Sequence, residues 1–217
     1  MDKEQQRWIA ELRQFTVCQL ADALGVSCAV ETAIFPIDPY FRICGPAFTV
    51  ECAPGDNLTL HHALHLAQPG EVLIVAGSHN CDGALWGELM SISAQSRGVA
   101  GTIIDGPVRD PLEIRNLGYP VFCRQLNPRR ATKEIYGHTN VPVGIGKLSI
   151  DPRDLVLADA NGIVVIPPAS VEEAIELAAE VARKESKVKE EMLLGRTIFQ
   201  IFELERYVPN LHQAKSK

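Results

Sequence analysis

Residues 69–124 read PGEVLIVAGSHNCDGALWGELMSISAQSRGVAGTIIDGPVRDPLEIRNLGYPVFCR. Three short apolar runs stand in this stretch: residues 71–76 (EVLIVA), 101–105 (GTIID) and 119–124 (YPVFCR). A run that is apolar at successive positions is apolar on both faces of its pleat, so it predicts a strand covered on both sides. Between the runs lie polar loops followed by helical patterns, one over residues 84–97 with Gly98 as its stop, one from Arg109-Asp110-Pro111 to Leu117. Proline suits the first turn of that second helix and glycine the end of the first. Strand, loop and helix in alternation predict an α/β sheet with crossover helices.

Working outward, residues 4–25 carry a helical pattern, with Thr16 placed to cap a second short helix. Residues 45–52 form a further strand, and Pro54-Gly55-Asp56 a turn whose Asp56 would cap a helix running to Ala67. Gly106-Pro107 is expected to turn the chain after GTIID. Residues 141–147 are a candidate strand, and residues 155–158 and 163–166 flank Asp159-Ala160-Asn161-Gly162 as a hairpin. A long helix is expected over 170–194, opened by a Ser170/Glu173 capping box. With no repeat, linker or low-complexity segment, residues 1–217 read as a single domain with N-terminal helices and a C-terminal helical extension from about 170 to 217.

Composition narrows the function. The chain is 46% hydrophobic and 22% charged, with a net charge of -6. That is ordinary for a globular protein and lacks the basic face that nucleic acid requires. No apolar run reaches the ~20 residues of a membrane span, and the charged N-terminus does not read as a signal peptide. The cysteines at 18, 28, 44, 52, 81 and 123 form no CxxC pair, which predicts free thiols and a cytoplasmic protein.

In such sheets ligands bind at loops leaving the carboxyl ends of parallel strands. Two loops qualify, 77–88 and 106–110, and they face one crevice if their strands are neighbours. They carry Glu88, Arg109 and Asp110, with Asp105 and Glu113 close in sequence. The arginine fork suits a carboxylate, and hard oxygen ligands favour magnesium or manganese over zinc. The alternative for Arg109 and Asp110, a surface ion pair capping a helix, stays open on these residues alone. His61 and His65 are one helical turn apart, with His62 beside them, but no acid completes a zinc motif, so they read as structural or solvent-facing. His79 lies in the first loop and is a candidate auxiliary group. None of the lysines falls on the two loops, which argues against Schiff-base chemistry there.

The 69–124 stretch, together with TVCQLADALG (16–25), NVPVGIGKLSIDPRDLVLADANGIVVIP (140–167) and KESKVKEEMLLG (184–195), resembles the RraA-like family. More narrowly it is similar to the family's 4-hydroxy-4-methyl-2-oxoglutarate/4-carboxy-4-hydroxy-2-oxoadipate aldolase branch, over about residues 14–195. That branch is marked by an acid, twenty intervening positions, Arg-Asp, two positions and an acid, here Glu88, Arg109, Asp110 and Glu113. The first acid is usually aspartate, so Glu88 departs by one methylene.

The resemblance implies a swivelling ββα core like that of phosphohistidine domains, and a divalent-metal-dependent aldolase that releases pyruvate from 4-hydroxy-2-oxo acids. Asp110 would anchor Mg2+ or Mn2+, partly through water, and Arg109 would contact the keto-acid end of the substrate. The 87–90 turn, Gly87 with the backbone N–H groups of Leu89 and Met90, would hold the pyruvate carboxylate. Asp22 and Glu185 would arrive from a neighbouring subunit of a homotrimer or homohexamer and join Glu88 in handling protons. An oxaloacetate decarboxylase side activity is expected from the same enolate chemistry. The pocket walls would include His79, Asn80, Trp86 and Arg124. The rival within the family is a regulator that binds ribonuclease E without catalysis, for which the acidic set around Arg109 would be unnecessary.

Overall fold

The computed structural model describes residues 2–25, 28–30, 33–77 and 81–208. In chain order its first half comprises α1 (Lys3–Leu12), α2 (Val17–Leu24), β1 (Phe35–Pro36), β2 (Ile43–Glu51), α3 (Leu58–Leu66), β3 (Val72–Ala76), α4 (Glu88–Ser96) and β4 (Gly101–Val108). There follow α5 (Pro111–Leu117), β5 (Val121–Leu126), β6 (His138–Thr139), β7 (Val143–Ile145), β8 (Leu148–Ile150), β9 (Leu155–Asp159), β10 (Gly162–Ile166), α6 (Val171–Leu193) and α7 (Ile198–Ile201).

The three apolar runs become β3, β4 and β5. They lie side by side with β2 in one sheet of order β1-β5-β4-β3-β2-β9-β10, with β6 attached to β2. The pairs β2–β3, β3–β4 and β4–β5 are parallel, joined through α3, α4 and α5. All five residues of β3 are buried, as a strand covered on both faces must be. The 155–166 segment is an antiparallel hairpin, β9 against β10, as its Asp-Ala-Asn-Gly turn predicts, and β9 runs antiparallel to β2. Mixed pairing curls the sheet nearly into a barrel flanked by helices.

Two apolar clusters fill the molecule. The larger packs α3, α4 and α5 on the β2–β5 strands, around Leu60, Ile74, Ile104 and Phe122. The smaller joins α1, α2 and α6 to β9 and β10 through Leu12, Leu20, Val164, Ala174 and Ala178.

Four local expectations change. Gly106 and Pro107 do not turn the chain; β4 continues to Val108 across a β-bulge, where a proline's missing N–H is tolerated. Residues 84–86 are extended rather than helical, and α4 starts at Glu88. Asn57, not Asp56, occupies the cap position of α3. Ser170 makes no side-chain cap, because its backbone belongs to a short 3-10 turn, Pro168–Ser170, that leads into α6. The Thr16 cap is present as a full capping box with Gln19.

Candidate active site

β3 and β4 are neighbours, so the loops that leave their carboxyl ends share one crevice. The extended residues 84–86 line up beside the end of β4: Trp86 pairs with Val108, Leu85 N–H donates to the Pro107 carbonyl at 3.0 Å, and Arg109 N–H donates to the Trp86 carbonyl at 3.0 Å. This added pairing places Gly87 against Arg109 and Asp110. The Asp110 Oδ2 accepts from the Glu88 N–H at 3.2 Å and lies 3.3 Å from Arg109 Nε. Asp110 itself takes a left-handed backbone, φ 56°, at the cap of α5, with no side-chain cap bond. An L-residue there is uncommon, aspartate being among those that tolerate it. The carboxylate is thereby turned away from its own helix and toward α4.

Gly87 is required by proximity. Its φ of -165° is extended backbone open to any residue, but a Cβ there would stand 2.6 Å from Asp110 Oδ2 and 3.0 Å from Arg109 Cγ. Beyond it, the first-turn N–H groups of α4 at Leu89 and Met90 have no intrahelical acceptor and carry the positive end of the helix dipole. Trp86 is fully buried beneath, its Nε1–H on Ser91 Oγ at 2.7 Å and its ring stacked on Tyr119.

These residues wall a cleft of about 180 Å³, whose lining includes Trp86, Gly87, Leu89, Met90, Arg109 and Asp110. The opposite wall comes from Asn57, Arg130 and Lys133, which the sequence did not single out, and from His61, which it read as structural or solvent-facing. Lys133 therefore reaches the site from a loop after β5, although no lysine lies on the loops that carry Arg109 and Glu88. Neither Arg130 nor Lys133 has a carboxylate partner among the described residues. Partial desolvation first, and then the charge of Lys133, lower the His61 pKa from its ordinary value, which favours the neutral ring. Asn57 donates from Nδ2 to the Leu85 carbonyl at 2.9 Å, which fixes its amide; its Oδ1 is buried without a partner among the described residues. The one signal for this wall was the i, i+4 spacing of His61 and His65, which without a completing acid read as structural or solvent-facing.

Other expected residues lie elsewhere. The Glu88 side chain is not part of the cleft lining; its backbone is what meets Asp110. Glu113 is exposed on α5. Asp105 is buried and paired to Arg124 at 2.5 Å, so Arg124 serves that ion pair and does not line the cleft. Asp22 and Glu185 line a separate groove between α2 and α6, with Met192 and Phe202, and Gln19 donates to Glu185 at 2.8 Å. His79 and Asn80 lie outside the described residues. Among the described residues no three His, Cys, Asp or Glu side chains converge as a metal cage.

The chain matches the RraA-like (Aldolase/RraA) family pattern over residues 17–165. It belongs to the RraA-like family. Among the family's curated members, a Halalkalibacterium halodurans protein provisionally named a 4-hydroxy-4-methyl-2-oxoglutarate aldolase is 33% identical over 79% of this chain and 81% of its own length. A solved structure of an uncharacterized Pseudomonas syringae protein superposes with a TM-score of 0.81 at 29% identity, covering 90% of this chain and 96% of the other. The Streptomyces coelicolor protein RraAS2, described as an unusual member of the RNase ES inhibitor RraA family, follows at TM-score 0.77 and 26% identity, covering 87% and 97%. The RraA-like family thus holds both an aldolase assignment and a ribonuclease-inhibitor assignment among this chain's relatives. No helix among the described residues is long and apolar enough to cross a membrane.

Proposed function

We propose that this RraA-like protein is a divalent-metal-dependent aldolase that cleaves a 4-hydroxy-2-oxo acid with at least two carboxylates to pyruvate. One observation carries the reading: on a chain of net charge -6, Arg109, Arg130, Lys133 and the α4 N-terminus surround a single carboxylate, Asp110, in one cleft. A binding surface for another protein has no need to gather cations around a concave pocket of small-molecule size.

Asp110 fits a magnesium or manganese ion. Its side chain is about one-third exposed, Oδ2 is engaged by the Glu88 N–H, and a lone hard carboxylate is the kind of anchor that Mg2+ completes with waters and substrate oxygens. A zinc site would instead gather several His or Cys ligands. When bound, the cation would supply electrophilic pull on the 2-oxo group.

The chain's own groups divide the remaining work. The Leu89 and Met90 N–H groups face the substrate's 1-carboxylate, as helix N-termini favour. Arg109 stands where negative charge develops as the C3–C4 bond breaks and its electrons move to the pyruvate enolate. Arg130 and Lys133 face the distal carboxylate. Loss of the C4 hydroxyl proton and protonation of C3 complete the reaction. Asp22 and Glu185 of a neighbouring copy are the acids assigned to those protons, in a homotrimer or homohexamer; the Glu88 side chain, outside the cleft lining, is not among them. Oxaloacetate would lose CO2 through the same enolate.

The test is pyruvate release from 4-hydroxy-4-methyl-2-oxoglutarate and 4-carboxy-4-hydroxy-2-oxoadipate with Mg2+ or Mn2+. Activity is expected to vanish in EDTA and return with the metal; full activity after EDTA and dialysis would refute the metal requirement. Arg109→Ala and Asp110→Asn are each expected to lose ~100-fold or more in kcat/KM. Asparagine also tolerates the left-handed backbone at 110, so the second change reports on charge. A pull-down with ribonuclease E examines the family's other role: capture together with no pyruvate release from any 4-hydroxy-2-oxo acid would favour the regulator.

A further inference from the structure

We propose that Asp56 is a positioning residue, whose buried carboxylate locks the segment after β5 so that Arg130 and Lys133 stand over the cleft as the anchor for the far carboxylate of the substrate. The inference rests on the aldolase reading for its substrate, and on four observations for its geometry.

Asp56 is 1% exposed, yet what it holds is a surface segment. Its Oδ2 accepts from the Thr132 hydroxyl and from the Glu134 N–H, both at 2.6 Å, and its Oδ1 accepts from the Leu58 N–H at 2.9 Å. A buried carboxylate is costly unless hydrogen bonds replace its water, and here both oxygens are engaged. Two of those bonds go to residues that flank Lys133.

The backbone reinforces the tie. Asn57 N–H donates to the Thr132 carbonyl at 3.0 Å and Thr132 N–H to the Gly55 carbonyl at 2.8 Å, a parallel bridge between Asp56 and Thr132. From the end of β5 at Leu126 to the start of β6 at His138, the chain forms no helix or strand of its own. A connection that long is fixed by what it touches.

The next residue in the chain holds the facing wall. Asn57 Nδ2 donates to the Leu85 carbonyl, two residues before Gly87. Adjacent side chains at the start of α3 therefore set the separation between the cationic wall and the wall of α4 N–H groups. The Asp56 carboxyl is also kept charged: burial would raise its pKa, but the bonds from Thr132, Leu58, Glu134 and Ile135 outweigh that and hold it at about 2.

The test uses the full chain with Asp56→Asn and Thr132→Val; the second removes one hydroxyl and preserves shape, in case the first folds poorly. With 4-hydroxy-4-methyl-2-oxoglutarate, Asp56→Asn is expected to raise KM ~10-fold with kcat within ~3-fold, and Thr132→Val to raise KM ~3-fold. Inhibition by oxalate, which has no distal group, is expected to stay within ~2-fold. Added to Arg130→Ala/Lys133→Ala, Asp56→Asn is expected to raise KM no further. Hydrogen exchange at the Glu134 amide should accelerate ~10-fold or more while β3 amides stay protected. Equal weakening of oxalate and substrate, an additive effect on the double variant, or a KM unmoved while the Glu134 amide exchanges faster would each overturn the proposal. Should the wild type cleave no 4-hydroxy-2-oxo acid, the aldolase reading fails by itself. The lock is then judged by calorimetric affinity for 2-oxoglutarate against oxalate: selective loss of 2-oxoglutarate affinity in Asp56→Asn sustains it, and an unchanged ratio overturns it.

Discussion

At the scale of single residues, the site depends on what is absent at position 87 and on what is turned at position 110. Gly87→Ala inserts a methyl 2.6 Å from Asp110 Oδ2, so either the carboxylate or the turn must move. We expect kcat/KM to fall ~10-fold or more, because misplacing a catalytic group by an ångström costs about that much or more. The added methyl meets the Asp110 carboxylate and the Arg109 side chain and not apolar core atoms, so thermal unfolding should shift by only a few degrees, checked by calorimetry. Asp56 provides a pH signature. Its folded pKa of about 2 lies below the usual carboxylate range. A depressed pKa stabilises the fold above the unfolded value, and that contribution is lost as pH falls through the folded one. Asp56→Asn should therefore flatten the acid limb of stability between about pH 4 and pH 2; equilibrium unfolding across that window is the measurement. The sequence exposed Arg109 and Asp110 through their place after a buried strand. It did not reveal Asn57, Arg130 or Lys133, since nothing local separates a cleft cation from any surface one.

At the scale of elements, the sequence patterns succeed where burial sets the period and fail where distant backbone intervenes. The β3, β4 and β5 runs are legible because both faces of each strand are covered. ALWGELM reads as helix, yet residues 84–86 are extended: they pair with the end of β4 and with Arg130. That tertiary pairing outweighs helix propensity, which amounts to only tenths of a kcal/mol per residue. The same pairing explains why β4 runs on past Gly106-Pro107. The second cluster offers an independent check on the helices that carry Asp22 and Glu185. Ala174 and Ala178 are fully buried on α6, in the cluster that includes α2 residues Val17 and Leu20. Ala178→Leu overfills that contact and should destabilise the chain by ~1–3 kcal/mol in urea unfolding. Because the Arg109 cleft belongs to the other cluster, oxalate affinity per folded molecule should stay within ~2-fold.

At the scale of the whole molecule, thiol reactivity reports the fold as a unit. Cys18 is exposed, while Cys28, Cys44, Cys52, Cys81 and Cys123 are buried. Burial pushes the Cys44, Cys52 and Cys123 thiols up to about 12, so almost no thiolate is available to react at neutral pH. Native protein should titrate with one equivalent of an aromatic disulfide reagent, at Cys18, whose own thiol is held up by partial burial and nearby carboxylates, and all six thiols should react in denaturant; native reaction of several thiols would contradict the packing. Local patterning was enough to give the parallel sheet, the crossover helices, the β9–β10 hairpin and the placing of Arg109 and Asp110 at a strand's carboxyl end. Those features follow from periodicity and from turn chemistry, which are local. Long-range packing alone set that Glu88 meets Asp110 through its backbone, that Asp105 is bound to Arg124, and that α4 opens at Glu88. It also decided that a loop after β5 completes the cleft. These outcomes depend on which distant segments exchange hydrogen bonds, as Asp56 does with Thr132 and Leu85 with Pro107, and on which charges are left without partners once the core has closed.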